Sequence, residues 1–156
     1  MNATTSPYTL TLERTLAAPR KAISQCWTEA DLLEQWFCPK PWFVKDVDLD
    51  VRPGGASSMM MCGPNGETSP NQFVYLVVEE GKRLVFTDAF TSAWIPSGKA
   101  FVVCEILLTD APKEQTHYIA RVHHWNEADM QEHVKMGFHE GWGIAADQLE
   151  ALAKTL

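Results

Sequence analysis

The closing segment NEADMQEHVKMGFHEGWGIAADQLEALAKTL, residues 126–156, decides the fold. Its apolar residues recur at intervals of three and four, the spacing of one face of an amphipathic α-helix. With Asn126 as the N-cap, the pattern predicts a single helix of about 30 residues and about 45 Å, long enough to cover a whole sheet. The predicted apolar stripe consists of Met130, Val134, Phe138, Gly141, Ala145, Leu149, Leu152 and Leu156.

Three glycines lie inside this segment, and each one costs a helix about 1 kcal/mol relative to alanine. Gly137 and Gly141 are four residues apart, so we expect both to face the sheet, where a missing side chain allows close approach or leaves open volume. Gly143 is expected on the opposite, solvent-facing side. The glycine-rich stretch is therefore predicted to be the part of the helix at which a cavity would open.

The segments before the helix alternate between apolar and polar residues, as half-buried β-strands do. Pro53-Gly54 fits a type II turn, and Asn65-Gly66 is a strong hairpin signal. Two short helices separate the first strand from the second. The prediction is an α+β fold of the helix-grip type, with a curved antiparallel sheet of about seven strands wrapped around the C-terminal helix. The predicted strands are 8–16, 43–51, 57–62, 73–78, 83–90, 101–110 and 116–125.

Composition and charge exclude several classes of function. The 156 residues predict one domain over 1–156, and a net charge of −7 argues against a nucleic-acid or anionic-membrane partner. No run of 18 apolar residues predicts a membrane span, and residues 1–16 lack the features of a signal peptide, so we expect a cytoplasmic protein. The four cysteines form no CxxC pair, so we expect reduced, buried thiols and neither a metal nor a cofactor.

Four motifs in this order of elements carry a resemblance to a known superfamily. They are RPGG at 52–55, GPNGE at 63–67, KRLVFTDAF at 82–90 and HVKMGFHEGWGIAADQLEALA at 133–153. Together they resemble the SRPBCC (START-like, helix-grip) superfamily, and within it the bacterial homologues of the activator of the heat-shock-protein-90 ATPase. The resemblance covers nearly the whole chain. It implies an apolar cavity between the sheet and the C-terminal helix, and it transfers no catalytic residue, because enzymes of the superfamily place theirs differently.

Aromatic and methionine side chains are the candidates for lining that cavity. Met59 and Met61 share one strand face, and methionine adapts to irregular apolar shapes. The alternative is a well-packed core with only a vestigial cavity. Trp27 is expected to pack the first helix without a role in ligand binding. The predicted ligand-binding residues are Trp36, Trp42, Met59, Met61, Phe86, Trp94, Tyr118, His124, Val134, Phe138 and Trp142.

The histidines are candidates for acid–base and metal chemistry. Strand alternation places Tyr118 and His124 on the inner face of the last strand. His124 is either a hydrogen-bonded structural residue or one that contacts a ligand. His133 and His139 are six residues apart, about 120° around a helix, so they cannot share a metal. Glu105 is expected to point outward and takes no catalytic role.

Three functions remain compatible with these features. The favoured one is binding of a small hydrophobic molecule. A stress-linked, co-chaperone-type module that binds proteins is the second, although the eukaryotic co-chaperone acts with an additional N-terminal domain, which makes a chaperone partner the less expected one. The third is a cyclase- or hydrolase-type enzyme that uses His124 or Tyr118 as a general acid or base. If Phe73, Tyr75 or Phe101 lies on the outer sheet face, the patch would suit a homodimer.

Overall fold

A computed structural model describes residues 7–156 of the chain, apart from the side chain of Ala93. Residues 1–6, which belong to the stretch analysed for a signal peptide, lie outside the described residues. The helices are α1 (Arg20–Thr28), α2 (Ala30–Trp36), α3 (Glu127–Lys135) and α4 (Phe138–Ala153), with a 3-10 turn at Ser92–Trp94. The strands are β1 (Thr9–Leu16), β2 (Phe43–Leu49), β3 (Ala56–Cys62), β4 (Thr68–Glu79), β5 (Arg83–Thr87), β6 (Phe90–Thr91), β7 (Ile95–Pro96), β8 (Val102–Ala111) and β9 (Gln115–His124).

Seven of the strands form one antiparallel sheet in the order β1-β9-β8-β5-β4-β3-β2. Consecutive strands from β2 to β5 pair through short hairpins, while β1 joins the far edge by pairing with β9. The two remaining strands, β6 and β7, form a small ribbon in the connection between β5 and β8. The α+β fold with a seven-stranded antiparallel sheet and a C-terminal helix confirms the fold predicted from the sequence.

The C-terminal segment contains two helices, so the prediction of a single long helix is wrong. Asn126 is the N-cap of α3, and its side chain accepts a hydrogen bond from the backbone N–H of Asp129 at 2.8 Å. The helix then ends at Lys135, and Gly137 adopts a left-handed backbone with φ of +90°. This is the position after a helix end that glycine occupies most readily, because it has no side chain to clash. The break changes the direction of the chain before α4 begins.

Gly143 is buried, which corrects its predicted position on the solvent side. A Cβ at this residue would lie 2.8 Å from Nη2 of Arg14 on β1. The Arg14 guanidinium donates a hydrogen bond to the Gly143 carbonyl at 3.1 Å and forms an ion pair with Asp147. The missing side chain therefore lets the arginine of an edge strand reach the backbone of α4.

The outer face of the sheet carries a cluster of charged and polar side chains around Glu105. Glu105 points to this face and pairs with Arg83 at 2.8 Å, with Arg121 and His123 nearby. Partial burial opposes ionisation of this carboxyl, but the hydrogen bond and charge of Arg83 lower its pKa below the usual value. The inner face packs against the helices, and α4 contacts α1, α2 and β1.

Candidate ligand-binding cleft

A cleft of about 330 Å³ lies between the inner sheet face and the C-terminal helices. This volume falls at the lower end of the range for small-molecule sites, about 300–1,000 Å³. Most of its surface is apolar, with a few polar groups at separate points. Its lining residues are Trp27, Trp36, Phe37, Cys38, Pro39, Met61, Asn71, Phe73, Phe86, Asp88, Phe101, Val102, Cys104, Tyr118, His133, Met136, Gly137, Phe138, Gly141, Trp142, Ala145 and Ala146.

One wall of the cleft is the segment after α2, and a side chain of α4 holds it in place. Gln148 donates hydrogen bonds to the carbonyls of Trp36 and Cys38, at 2.8 and 2.7 Å. Its amide oxygen accepts a third hydrogen bond from the backbone N–H of Lys40 at 3.0 Å. The amide therefore satisfies three backbone groups that no helix or strand would pair, and it fixes the distance between this segment and α4.

Six of the residues predicted to bind a ligand line the cleft. They come from five separate elements of the chain, and only the fold brings them together. Four lie on the sheet side or on α2, and two lie on α4. The six are Trp36, Met61, Phe86, Tyr118, Phe138 and Trp142.

Two predicted tryptophans, Trp42 and Trp94, pack on glycine turns and do not line the cleft. Trp94 is 48% exposed, and its indole lies 3.2 Å from where a Cβ of Gly54 would be. The ring of Trp42 lies 2.8 Å from the corresponding position at Gly63. In both cases an aromatic ring covers a hairpin turn where glycine leaves room for it.

Met59, Val134 and His124 also lie outside the cleft. Met59 shares the inner face with Met61 but is buried in the core beside Tyr75. Val134 is 36% exposed. The alternation correctly turned His124 inward, where it is 4% exposed, but both of its ring nitrogens are already engaged. The acid–base role considered for His124 therefore lacks a free nitrogen.

The residues considered for an outer apolar patch lie on the inner side. Phe73 and Phe101 line the cleft, and Tyr75 is buried. Phe101 precedes β8 and contacts the rings of His124 and His133 at centroid distances of 5.5 and 5.3 Å. These three side chains are therefore absent from the surface on which a homodimer was considered.

In one straight helix His133 would lie at the edge of the apolar stripe, but the separate helix α3 carries it over the cleft. Its Nδ1 lies 2.9 Å from Nε2 of His124, whose Nδ1 lies 2.9 Å from the Tyr8 carbonyl. A carbonyl only accepts, so His124 carries its hydrogen on Nδ1, and Nε2 then accepts from His133. Burial first, and the neighbouring His124 second, lower the pKa of His133 to about 4.

Trp27, expected to pack the first helix without a role in ligand binding, also lines the cleft. It is 4% exposed, and its indole N–H is buried without a hydrogen-bond partner among residues 7–156. The Tyr118 hydroxyl lies close by, but not in the geometry of a hydrogen bond to this N–H. By contrast, the N–H of Trp36 donates to the Cys26 carbonyl at 2.9 Å. Helical spacing predicted burial for Trp27 and carried no information about its N–H.

Burial keeps two further ionisable groups of the cleft neutral. Burial raises the pKa of the Tyr118 hydroxyl and of the Cys104 thiol, so both stay protonated. Asp88 accepts hydrogen bonds from the backbone N–H groups of Phe101 and Val102, at 2.8 and 3.0 Å. All four cysteines are free and buried, as the sequence predicts.

The described part of the chain contains neither a cluster of metal-binding side chains nor a helix suited to span a membrane. Residues 7–156 contain no group of three or more histidine, cysteine or acidic side chains placed to hold a metal. Within the same range, no helix is both long enough and apolar enough to cross a membrane.

The fold and cleft define a helix-grip protein of the SRPBCC type. The sequence profile of the Activator of Hsp90 ATPase homolog 1-like proteins matches residues 17–154, and the chain belongs to that family. No curated protein is similar enough to match it.

Solved structures of bacterial proteins share this fold. A protein from Nitrosomonas europaea is 36% identical, with a TM-score of 0.93 and 97% of each chain covered. A protein from Mycobacterium smegmatis is 26% identical, with a TM-score of 0.78, covering 93% of this chain and 90% of its own. A protein from Arthrobacter aurescens has a TM-score of 0.81 at 20% identity, which indicates a shared fold alone; 96% of this chain and 87% of that one are covered.

Proposed function

We propose that the protein binds a small, mainly apolar molecule in the cleft between the sheet and α4. The observation that carries this proposal is an open volume of about 330 Å³ lined mostly by aromatic and aliphatic side chains. A core that served stability alone would fill such a space, because protein interiors are close-packed and empty volume is costly. Gly141 and Ala145 keep the wall of α4 small at the cleft.

Binding of N-phenyl-1-naphthylamine, a neutral apolar fluorophore, tests this function. We expect saturable binding to the native protein with an increase in fluorescence. The variant Ala145→Trp fills the cleft from α4 and should weaken binding at least tenfold. Its matched control is Ile144→Trp, one residue away on the more exposed side of the same helix. Absence of saturable binding, or equal affinity in the two variants with native circular dichroism, would contradict the proposal.

Family membership favours a second candidate, a co-chaperone-type module that binds proteins. The support is the match of residues 17–154 to relatives of an Hsp90 ATPase activator. The bacterial Hsp90-type chaperone, with its ATPase rate measured over a range of concentrations of this protein, provides the test. A saturable rise in the rate would support this role, and an unchanged rate would remove it.

A cytoplasmic location, a link to stress and a homodimer remain parts of the same proposal. A location in the cytoplasm would give the cleft access to small metabolites, and a heat-shock change in protein level would support the stress link. Fractionation of the native host before and after heat shock, with the protein level and the mass of the native particle measured in the same extracts, addresses all three.

A further inference from the structure

We propose that the cleft selects a neutral molecule with an oxygen acceptor placed against Trp27 and a hydroxyl or N–H donor placed against His133. This inference rests on the proposed function, because it specifies the chemistry of the ligand in the same cleft. It follows from two polar groups that lie on different elements, one on α1 and one on α3.

The first group is the unpartnered indole N–H of Trp27. Trp27 lines the cleft and is 4% exposed, and its indole N–H makes no hydrogen bond within residues 7–156. A buried donor without a partner costs about 1–3 kcal/mol, so most buried donors in proteins are paired. A ligand oxygen at this point would remove that cost. The Tyr118 hydroxyl lies beside it and stays protonated, so it can donate a second hydrogen bond to the same ligand oxygen.

The second group is Nε2 of His133. The Tyr8 carbonyl fixes the hydrogen on Nδ1 of His124, and His124 in turn fixes the hydrogen of His133 on Nδ1. In the neutral ring, Nε2 then carries a lone pair and accepts hydrogen bonds only. Phe101 and Phe138 flank this ring, with centroids 5.3 and 5.1 Å away, and disfavour its charged form.

The charge of the cleft argues for a neutral ligand. Among its lining residues, Asp88 is the one acidic side chain, and no lysine or arginine lies there. A carboxylate ligand would lose its hydration on entering the cleft and would find no cation there to pair with. This costs far more free energy than burial of a ketone or an alcohol. The acceptor at Trp27 is therefore better supplied by a carbonyl-type oxygen than by an anion.

Four matched probes test the two contacts by displacement of N-phenyl-1-naphthylamine at pH 7.5. Benzophenone and diphenylmethane differ by the ketone oxygen. In the native protein the ketone should bind about three- to tenfold more tightly, the value of one net hydrogen bond. Trp27→Phe should abolish this ratio. The matched control Trp94→Phe should preserve it, because that tryptophan is exposed and lies outside the cleft.

The second pair is 4-(hydroxymethyl)benzophenone and 4-methylbenzophenone, which differ by one hydroxyl. The alcohol should bind about three- to tenfold more tightly. His133→Phe should remove the difference, while the exposed control His139→Phe should keep it. Circular dichroism confirms the fold of each variant.

The possible failures separate the two proposals. If the fluorophore does not bind, the proposed function fails and the ligand chemistry fails with it. If the fluorophore binds but ketone and hydrocarbon compete equally, or the preference persists in Trp27→Phe, the contact with Trp27 is wrong and the binding function stands. A hydroxyl preference that is absent, or that persists in His133→Phe, overturns the contact with His133 in the same way.

Discussion

Replacement of Gly141 by alanine should stabilise the protein and at the same time reduce the cleft. Gly141 lies in the first turns of α4, and its N–H donates to the Gly137 carbonyl at 2.7 Å. A Cβ built at this residue would meet Cγ of Pro39 at 3.7 Å, an ordinary van der Waals contact. The substitution therefore introduces no clash, and the backbone is already in a conformation that alanine prefers.

The expected gain follows from the difference in helix propensity. Alanine is more favourable than glycine by about 0.5–1 kcal/mol within a helix, because glycine loses more backbone freedom on folding. For a domain of this size, 1 kcal/mol corresponds to about 2–4 °C in the midpoint of thermal unfolding. Gly141→Ala should therefore raise the midpoint by about 1–4 °C, with a parallel increase in the urea midpoint at unchanged slope.

The same substitution at Gly137 is the matched control and should have the opposite sign. No heavy atom lies within 4 Å of a Cβ there, but φ is +90°, where alanine is strained. Gly137→Ala should therefore lower stability by about 1–2 kcal/mol. Circular dichroism melts of the three proteins compare the effects. A loss of stability in Gly141→Ala, or a gain in Gly137→Ala, would refute this account of the two glycines.

Three further results are expected. The pKa of His133 is about 4 in the folded protein, against an ordinary value of 6.5, so on acidification the unfolded chain binds the proton first. About 2–3 kcal/mol of the free energy of unfolding, present above pH 6.5, should therefore be lost as the pH falls to about 4. The free energies of unfolding of the native and His133→Phe proteins should be compared by urea unfolding across this pH range, and an equal pH dependence in the two proteins would refute the assignment. Gln148→Ala should lower the free energy of unfolding, measured with urea, by about 2 kcal/mol and weaken fluorophore binding, because three backbone groups lose their partner. A loss below about 0.5 kcal/mol would mean that water replaces the amide fully. Asn126→Ala should cost about 1 kcal/mol through loss of the α3 N-cap, with Asn126→Asp as the control that keeps it.

The sheet was predictable because each strand carries its own signal. Strand alternation is local, and turn residues such as Gly54 and Gly66, with φ of +83° and +85°, mark the places where the chain reverses. One face of each strand must be buried, so the alternation also predicted the inner position of His124 and the outer position of Glu105. These properties depend on neighbours along the chain, and the sequence contains them.

The helix break was less visible, because it preserves the apolar spacing on both sides. Val134 and Phe138 are four residues apart, as in one continuous helix, yet a left-handed Gly137 separates them. The sequence did contain a signal, since a glycine after a basic helix end is typical of a helix C-terminus. Trp42 and Trp94 lie outside the cleft for another reason: their rings contact glycines of hairpins that are distant in the sequence.

The break at Gly137 also explains why the polar groups of the cleft could not be predicted. In one straight helix His133 would lie at the edge of the stripe, but the separate helix α3 packs against β9 and α4 and places its ring against His124. His133 thereby covers His124, the histidine that strand alternation placed on the inner face, and His133 lines the cleft in its place. The glycine that ends α3 therefore contributes to the arrangement at the cleft, because one continuous helix would not bring His133 against His124. This accounts for a helix-breaking residue inside an otherwise regular amphipathic pattern.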